Sequence, residues 1–469
     1  MIKRIEKDVL GEVKIPEDAY YGITTQRVLQ DFKISGLTMD PKFLEAYIIL
    51  KKACAIANMK IGILDTELGK TIVQTSDEIL NDKLRDQFKV DAFQMGAGTS
   101  FNMNCNEVLA NRVNEILNSK KGDYKPIHPN DHVNMSQSTN DTFPTAMRIA
   151  ILLKLKDLDT ELKKLEKSFH EKATQFDNIV KAGRTHLQDA VPIRLGQEFN
   201  AYSQTVSKSR ITILTAGNSC REIGIGGSAT GTGLNTKSGY REEVLNQLNI
   251  MTGLNLKQAE DLSEIMQSQS AVANVSATLR NLALELIRIS NDLRLLSSGP
   301  TTGLAEIHLP AIVAGSSIMP GKINPSILEM LGMVSFQVVG NDLTISMAVQ
   351  AGQLELNVMM PVMAFNILFS IEILTNAIRQ TRIKCIDGID ADEAKCKHYA
   401  DTTLGLATIL NPIIGYKKAV KIVKQALKEK KTIIEVIREN KILSEEDITK
   451  LLNPTKMTKP PPTQNNKKN

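Results

Sequence analysis

The segment MRIAILLKLKDLDTELKKLEKSFHEKA, residues 147–173, has apolar residues three and four positions apart and contains no glycine or proline. This spacing places the apolar side chains along one face of an α-helix. Because glycine and proline are absent between Pro144 and Gly183, the sequence predicts one long helix there. A helix of about 35 to 40 residues is about 55 Å long, which is longer than one compact domain requires.

Further patterns of the same kind predict an all-α fold. The run SQSAVANVSATLRNLALEL, residues 268–286, has small or apolar residues on nearly every side, so a helix there needs more than one set of neighbours. We therefore expect a central bundle of long helices that also packs against other subunits. The other predicted helices cover residues 41–59, 69–82, 197–219, 254–298, 327–351, 362–385, 416–428 and 433–438.

A chain of 469 residues is too long for one ordinary core. We expect three domains: a mixed, mostly helical domain at residues 1–140, the long-helix bundle at 141–395, and a small helical domain at 396–469. The end of the last domain, KMTKPPPTQNNKKN at 456–469, is predicted to be disordered because its residues cannot build a core.

Composition excludes several classes of protein. The 57 basic and 52 acidic residues nearly balance, and aromatic residues make up only 4%, which argues against a nucleic-acid-binding protein. The five cysteines have no CxxC spacing, so we expect neither a disulfide framework nor a zinc site. The charged N-terminus is unlike a signal peptide, and no run looks long and apolar enough to span a bilayer. We therefore expect a cytoplasmic protein without a metal or cofactor.

Four polar segments interrupt the helical pattern, and all are rich in glycine, hydroxyl and amide residues. Each alone is typical of a helix cap or a loop. Together they combine many neutral hydrogen-bond donors with one lysine and one histidine, a set that suits a small dicarboxylate. They are GAGTSFNMN (96–104), NMSQSTND (134–141), GRTHLQDA (183–190) and GSSIMPGKIN (315–324).

These four segments, in this chain order, resemble the conserved segments of the aspartase and fumarase superfamily. The resemblance extends from about Gly11 to about Asn453. Within the superfamily, AVPIRLGQEF (190–199), SGPTTGLAEI (298–307) and AGQLELNVMMPV (351–362) are more similar to aspartase than to fumarase. Two positions depart from the family pattern: Thr301 stands where arginine is expected, and Met360 stands where glutamate is common.

The resemblance implies reversible elimination of ammonia from L-aspartate to give fumarate. Removing the proton next to the distal carboxylate forms an aci-carboxylate with two negative charges, and stabilising it is expected to be the largest catalytic contribution. The family pattern makes Ser316 the base, and backbone N–H groups are then needed to stabilise its alkoxide. Gly315 and Gly321 suit a mobile loop that brings Ser316 and Lys322 onto the substrate.

The resemblance also assigns substrate contacts. One group would hold the α-carboxylate, a second would hold the β-carboxylate, and a third would lie near the leaving amine. An imidazole–carboxylate pair is the second candidate for the general acid or general base. The α-carboxylate would be held by Lys322, Asn324 and Thr185, and the β-carboxylate by Thr99, Ser138, Thr139 and Ser317. The residues near the leaving amine would be Asn140 and His186. The imidazole–carboxylate pair is His186 with Glu329, and Ser100 completes the expected binding set.

Several alternatives stay open. Arg27 lies where the family has an arginine sometimes tied to substrate carboxylates, and a plain salt bridge is an equal interpretation. A fumarate hydratase would use the same carboxylate pockets, and a catalytically silent helical scaffold would keep only the fold. Argininosuccinate and adenylosuccinate lyases would need extra substrate-reading residues. The family also implies a homotetramer with each active site shared by three subunits, since long rigid helices keep the four segments apart.

Overall fold

The structure is a computed structural model, and it describes residues 2–458. Residues 459–469, most of the predicted disordered tail, lie outside the described residues. The helices are α1 (Ile23–Asp31), α2 (Pro41–Lys60), α3 (Thr66–Leu80), α4 (Thr99–Ile116), α5 (Thr139–Gln175), α6 (Leu195–Gly217), α7 (Tyr240–Thr252), α8 (Leu262–Gln267), α9 (Ser270–Leu296), α10 (Ser326–Gln350), α11 (Met360–Lys384), α12 (Glu393–Thr402), α13 (Asn411–Ile414), α14 (Tyr416–Glu429), α15 (Ile433–Glu439), α16 (Glu445–Leu451) and α17 (Pro454–Met457).

Strands are few and short, so the all-α prediction is confirmed. Over residues 2–458 they form four two-stranded sheets, of which three are antiparallel and the β5–β6 pair is parallel. The strands are β1 (Lys3–Asp8), β2 (Gly11–Pro16), β3 (Val180–Thr185), β4 (Gln188–Arg194), β5 (Glu222–Ile223), β6 (Lys257–Gln258), β7 (Ile307–His308) and β8 (Asp390–Ala391).

The long helix predicted from residues 147–173 is confirmed as the 37-residue α5. It begins at Thr139, before Pro144, which lies in its second turn. Proline there removes only one backbone hydrogen bond, to the carbonyl of Asn140, and the helix continues past it. The predicted helices at 197–219, 327–351 and 362–385 correspond to α6, α10 and α11.

The prediction of one uninterrupted helix over residues 254–298 is wrong. The chain there forms β6, the short helix α8 and then α9. Asp261 caps α8, because its carboxylate accepts hydrogen bonds from the N–H groups of Ser263 (2.8 Å) and Glu264 (2.9 Å). The pairing of β6 with β5, which is more than 30 residues away in sequence, keeps the preceding residues extended. Apolar periodicity alone does not reveal such a distant pairing.

The chain groups into two compact units. The first contains the chain up to Thr160, Ser209–Leu284 and Val334–Thr375; the second contains Glu161–Lys208, Glu285–Met333 and the chain from Asn376 onward. All the boundaries between them lie within helices α5, α6, α9, α10 and α11. The predicted division into three sequential domains stays a prediction.

An aromatic cluster forms the centre of the first unit where α2, α4 and α5 meet. Phe43 on α2 packs against Phe143 on α5 at 4.7 Å and against Phe101 on α4 at 5.1 Å between ring centroids. Tyr47 packs edge-on against Phe101 and shares a 2.9 Å hydrogen bond with the hydroxyl of Thr142. The cluster therefore fixes the beginnings of α4 and α5, the two helices that follow the first two polar segments.

The second unit contains the β3–β4 hairpin and a C-terminal group of helices. The hairpin pairs Val180 with Arg194 at its base and Thr185 with Gln188 at its tip. Residues 404–457 have an apolar core of their own, with members from helices α14 and α15 such as Ile422 and Ile437. The hairpin and this group are joined by a hydrogen bond of 3.0 Å from the Thr403 hydroxyl to the Ala190 carbonyl.

The expectation that no segment is long and apolar enough to span a bilayer is wrong. One helical stretch, Met360–Gly388, is long and apolar enough, and 67% of its most apolar window is buried within the protein. Burial of this extent is typical of a core helix in a soluble protein, which passes the same test. The stretch is therefore weak evidence for a membrane span.

We predict that Phe143→Ala lowers the free energy of unfolding by about 3 to 5 kcal/mol, because it leaves a cavity in the centre of the first unit. Urea denaturation followed by circular dichroism measures the loss. Phe93→Ala is the control, since Phe93 is 43% exposed and its removal should change stability by less than about 1 kcal/mol. Equal losses in the two variants would contradict a central role for this cluster.

Candidate active site

The first polar segment is the N-terminus of α4. Gly96, Ala97 and Gly98 all have positive φ and form a tight turn directly before Thr99. A Cβ atom at Gly98 would overlap the ring of Phe143, so glycine is required there. Thr99 is half-buried, and its hydroxyl donates to the Gly96 carbonyl at 2.7 Å. The turn therefore fixes the Thr99 hydroxyl at the N-terminus of α4, where the Phe101 N–H donates to the Gln94 side-chain oxygen at 2.8 Å.

The second polar segment is the N-terminus of α5, and Asp141 holds it in place. The buried Asp141 carboxylate accepts backbone hydrogen bonds from Ser138 (3.0 Å), Gly226 (3.1 Å) and Ser228 (2.9 Å). Burial raises the pKa of Asp141 to about 7, although these three N–H groups oppose that shift. The Asn140 amide adds a 2.9 Å hydrogen bond to the Ala229 carbonyl. Thus the turn at 226–229 and the start of α5 form one hydrogen-bonded assembly.

A buried polar network connects the two helix N-termini. The Asn102 amide on α4 donates to the hydroxyl of Thr139 (3.0 Å) and to the side-chain oxygen of Asn134 (3.2 Å). The same Asn134 oxygen accepts from the ammonium of Lys51 on α2 at 3.1 Å. The start of α5 is therefore linked to α4 through Thr139 and Asn102, and Thr99 and Ser100 precede Asn102 in the first turn of α4. Ser100 is fully buried, and its hydroxyl has no partner among the described residues.

The third polar segment is the tip of the β3–β4 hairpin in the second unit. His186 and Leu187 both have positive φ, as the two-residue turn of a hairpin requires. Thr185 and His186 are exposed there. Arg184 lies just before them and is fixed by Glu306. The Arg184 guanidinium donates to both oxygens of the fully buried Glu306 carboxylate, at 2.9 and 3.0 Å. Lys181 approaches the same carboxylate at 3.3 Å, so one buried anion anchors two cations of the hairpin.

The fourth polar segment is a loop closed by an isolated bridge between Ala314 and Ile323. A Cβ atom at Gly315 would lie 2.7 Å from both the Asn324 nitrogen and the Lys322 carbonyl oxygen, so only glycine fits this closure. The Asn324 amide donates to the Gly315 carbonyl at 2.7 Å. The loop exposes Ser317 and Lys322 and leaves Ser316 half-buried.

Ser316 occupies a distinctive position in this loop. Its Oγ accepts hydrogen bonds from the backbone N–H groups of Ile318 (3.2 Å) and Met319 (2.9 Å). Two N–H donors pointing at one hydroxyl oxygen stabilise negative charge on that oxygen. The arrangement is therefore chemically suited to a serine that must lose its proton.

The structure thus gathers the expected residues into separate groups within one chain. The loop carries Ser316, Ser317, Lys322 and Asn324, and Glu329 is exposed on the following helix, α10. Over residues 2–458, no hydrogen bond or ion pair joins His186 to Glu329. That pairing, and the catalytic and binding roles of all these residues, stay predictions.

Arg27 is engaged by a carboxylate of its own chain. Its guanidinium donates to both oxygens of Asp8, at 2.7 and 2.9 Å, and to the Gly11 carbonyl. This bidentate pair lowers the pKa of Asp8. The salt-bridge interpretation of Arg27 therefore has direct structural support.

Three buried ionic residues were missed by the sequence reasoning: Lys51, Asp141 and Glu306. Asp141 follows the quoted Ser138–Asn140 run, and its place in the first turn of a helix was an available signal. Lys51 lies four residues after Tyr47, on the apolar face of α2, where a charge is unusual. Glu306 carried no local signal, because its partners are more than 100 residues away in sequence.

Comparison with known proteins shows the family of this chain. A family model described as lyase matches residues 11–340, and a second, described as the fumarase C C-terminus, matches residues 406–459. The chain therefore belongs to this lyase family, the aspartase and fumarase superfamily. Since members of the family act on small molecules, the chain is an enzyme with a small-molecule substrate.

Relatives named aspartate ammonia-lyase match nearly the whole chain. The Bacillus subtilis protein is 47% identical over 97% of this chain and 96% of its own length. The Helicobacter pylori protein is 44% identical over 97% of this chain and 98% of its own length.

Solved structures show the same fold. A fumarate lyase:delta crystallin from Brucella melitensis, bound to cobalt, has a TM-score of 0.94 at 44% identity, covering 98% of this chain and all of its own. A class II fumarase from Schistosoma mansoni has a TM-score of 0.95 at 36% identity, covering 97% of this chain and 99% of its own.

We predict that Glu306→Gln lowers the free energy of unfolding by about 3 kcal/mol, because it removes the buried anion that neutralises Arg184 and Lys181. Urea denaturation of the purified protein measures the change. The matched control is Glu285→Gln, which breaks an exposed pair with Arg288 on α9 and should leave the denaturation midpoint unchanged. An unchanged midpoint for Glu306→Gln would refute the anchoring role of that carboxylate.

Proposed function

We propose that this protein is an aspartate ammonia-lyase that converts L-aspartate reversibly to fumarate and ammonia. The observation that carries the proposal is the Ser316 hydroxyl, which accepts two backbone N–H bonds within the glycine-closed loop. The aspartate ammonia-lyases to which the chain is 43% to 47% identical support the same reaction.

In the proposed mechanism, Ser316 Oγ removes a proton from the carbon next to the β-carboxylate. The electron pair moves into that carboxylate, which becomes the doubly negative aci-carboxylate. It then returns to form the carbon–carbon double bond of fumarate as the carbon–nitrogen bond breaks. Ammonia leaves with the bonding electron pair, and Asn140 and His186 are proposed to lie beside it. The N–H groups of Ile318 and Met319 donate to Ser316 Oγ and so lower the energy of the serine alkoxide.

The carboxylates are proposed to bind to the polar segments. Lys322 is exposed on the loop and Asn324 is fixed at its base, so together they suit the α-carboxylate, with Thr185 assisting. The hydroxyls of Thr99, Ser138 and Thr139, with Ser317 from the loop, suit the β-carboxylate. The Asn102 amide holds the Thr139 hydroxyl, and the Asp141 carboxylate holds the backbone of Ser138, which reduces reorganisation during the reaction.

Fumarate hydratase is the second candidate, because the class II fumarase from Schistosoma mansoni shares the fold with a TM-score of 0.95. That reaction uses the same carboxylate pockets and differs in whether water or ammonia leaves. Aspartate ammonia-lyase is favoured by the higher identity to proteins of that name, 43% to 47% against 36%.

We also propose that the protein is a cytoplasmic homotetramer with active sites shared by three subunits. In the first unit, α10 exposes an apolar stripe at helical spacing: Phe336 (63%), Leu343 (65%) and Met347 (57%). Such a stripe on a long helix is typical of a surface that another subunit covers. All five cysteines are buried free thiols, which suits a reducing compartment.

We predict that Ser316→Ala lowers kcat for L-aspartate by about 10² to 10⁴-fold, the usual contribution of a catalytic base. Fumarate is followed by its ultraviolet absorbance, with L-aspartate and L-malate supplied separately. Ser297→Ala, which removes another half-buried hydroxyl of the second unit, should keep wild-type activity. Wild-type protein that makes fumarate from L-malate alone would replace the proposed function with fumarate hydratase. An active Ser316→Ala variant would exclude Ser316 as the base.

We predict that Phe336→Glu disrupts the oligomer and abolishes activity, because it places a charge in the apolar stripe and separates the subunits that complete each site. Light scattering coupled to size exclusion gives the mass, and circular dichroism checks that each chain stays folded. Leu427→Glu is the control, since Leu427 is 60% exposed on α14 and lies outside the stripe. A smaller, fully active Phe336→Glu species would rule out sites shared between subunits.

A further inference from the structure

Lys51 is a buried cation that the proposed mechanism does not use. It lies on α2 in the first unit, and its side chain is only 1% exposed. Its ammonium donates to two neutral amide oxygens, those of Asn134 (3.1 Å) and Gln137 (2.9 Å). Throughout residues 2–458 it forms no ion pair with a carboxylate.

Such a residue is unfavourable for stability alone. A buried ammonium that forms no direct ion pair loses its hydration, and an apolar residue of similar length is usually at least as stable in its place. Neighbouring Lys52 presents the ordinary arrangement, with a 2.6 Å ion pair to Asp77 and partial exposure. The position of Lys51 therefore suggests a purpose other than stabilising the fold.

The ammonium lies directly behind the proposed β-carboxylate site. Gln137, one of its two acceptors, immediately precedes Ser138. Asn134, the other acceptor, also receives a bond from Asn102, which in turn donates to the hydroxyl of Thr139. A single hydrogen bond therefore separates the ammonium from Gln137, the residue before Ser138, and three hydrogen bonds in series separate it from the Thr139 hydroxyl.

We propose that Lys51 is a positioning residue that supplies the buried positive charge for the carboxylate bound at Ser138 and Thr139. The inference rests on the proposed function only in that the substrate is a dicarboxylate. The hydroxyls donate neutral hydrogen bonds, and the ammonium behind them orients the amide dipoles of Asn134 and Gln137. Its field favours the bound carboxylate and favours the doubly charged aci-carboxylate more strongly, since attraction grows with charge in a low-dielectric interior.

Two groups in this region change charge in the range of pH 7 to 9. Burial lowers the pKa of Lys51 to about 8, and it raises the pKa of Asp141 to about 7. The other titratable groups that face Lys51 are the thiols of Cys54 on α2 and Cys105 on α4, with Tyr47 on α2 and Tyr240 on α7 around the same site. Burial raises the pKa of all four, so they stay neutral in this range.

The sign of the expected pH dependence follows. Above pH 8 Lys51 loses its proton and its charge, so carboxylate binding should weaken as the pH rises through that value. Ionisation of Asp141 is nearly complete by pH 8, so the effect of Asp141 on carboxylate binding changes little above pH 8. A Lys51→Gln variant keeps a hydrogen-bond donor but carries no charge at any pH. A Lys51→Arg variant keeps its charge throughout the range.

The experiment is calorimetric titration of the intact oligomer with succinate, an unreactive dicarboxylate, between pH 7 and 9.5, together with kcat and KM for L-aspartate. Circular dichroism and thermal melting check the fold. For Lys51→Gln at pH 7 we expect succinate binding weaker by about tenfold, kcat reduced more than the change in KM, and a melting temperature no lower than that of the wild type. The matched control, Lys52→Gln, should retain wild-type succinate affinity.

The pH profile discriminates this role from a structural one. Wild-type affinity for succinate should fall above pH 8, this fall should be absent in Lys51→Gln, and Lys51→Arg should keep the affinity to higher pH. A folded Lys51→Gln that binds succinate as wild type does would overturn the proposal. If Lys51→Gln does not fold, wild-type affinity that stays constant from pH 7 to 9.5 would overturn it instead. Fumarate formed from L-malate alone would refute the proposed ammonia-lyase and leave the succinate test intact.

Discussion

The candidate site depends on one buried carboxylate at the start of the longest helix. Asp141 accepts three backbone N–H bonds and thereby joins the N-terminus of α5 to the turn at 226–228. Burying a carboxylate is costly, as its raised pKa reflects, and those three bonds are what offset the cost. Without them the hydroxyls and amide at 138–140 would have no fixed direction. The long helix then makes this anchored end rigid.

The other three polar segments are each held in place by different interactions. Gly98 meets the ring of Phe143, so the beginning of α4 is set by aromatic packing. The hairpin tip is held through Arg184 and the buried Glu306. The loop of Ser316 is closed by its own backbone, and glycine at 315 permits the close approach. The lysine of this loop is exposed, which suits a segment that must meet its substrate.

Buried ionic groups recur in these supports, and each has a different balance of charge. Glu306 neutralises two cations, while Asp141 is satisfied by N–H groups alone. Lys51 donates only to amide oxygens and forms no ion pair among the described residues. We propose that such a cation, fixed behind neutral donors, attracts the bound dianion without forming an ion pair that would hold the product too tightly.

Much of this protein is determined by local sequence. Apolar periodicity predicted α6, α10 and α11 to within two residues, because a helix depends on side chains three and four positions apart. It also predicted the body of α5, although this helix begins at Thr139 and ends at Gln175 rather than filling the interval between Pro144 and Gly183. The polar segments and their family resemblance identified the loop and the helix N-termini that the structure displays. What the sequence left open was decided by partners distant in the chain: the parallel pairing that divides 254–298, the anchoring of Arg184 by Glu306, and the burial of Lys51. Those features arise only when separate segments pack together, since burial and charge compensation are properties of the assembled tertiary structure.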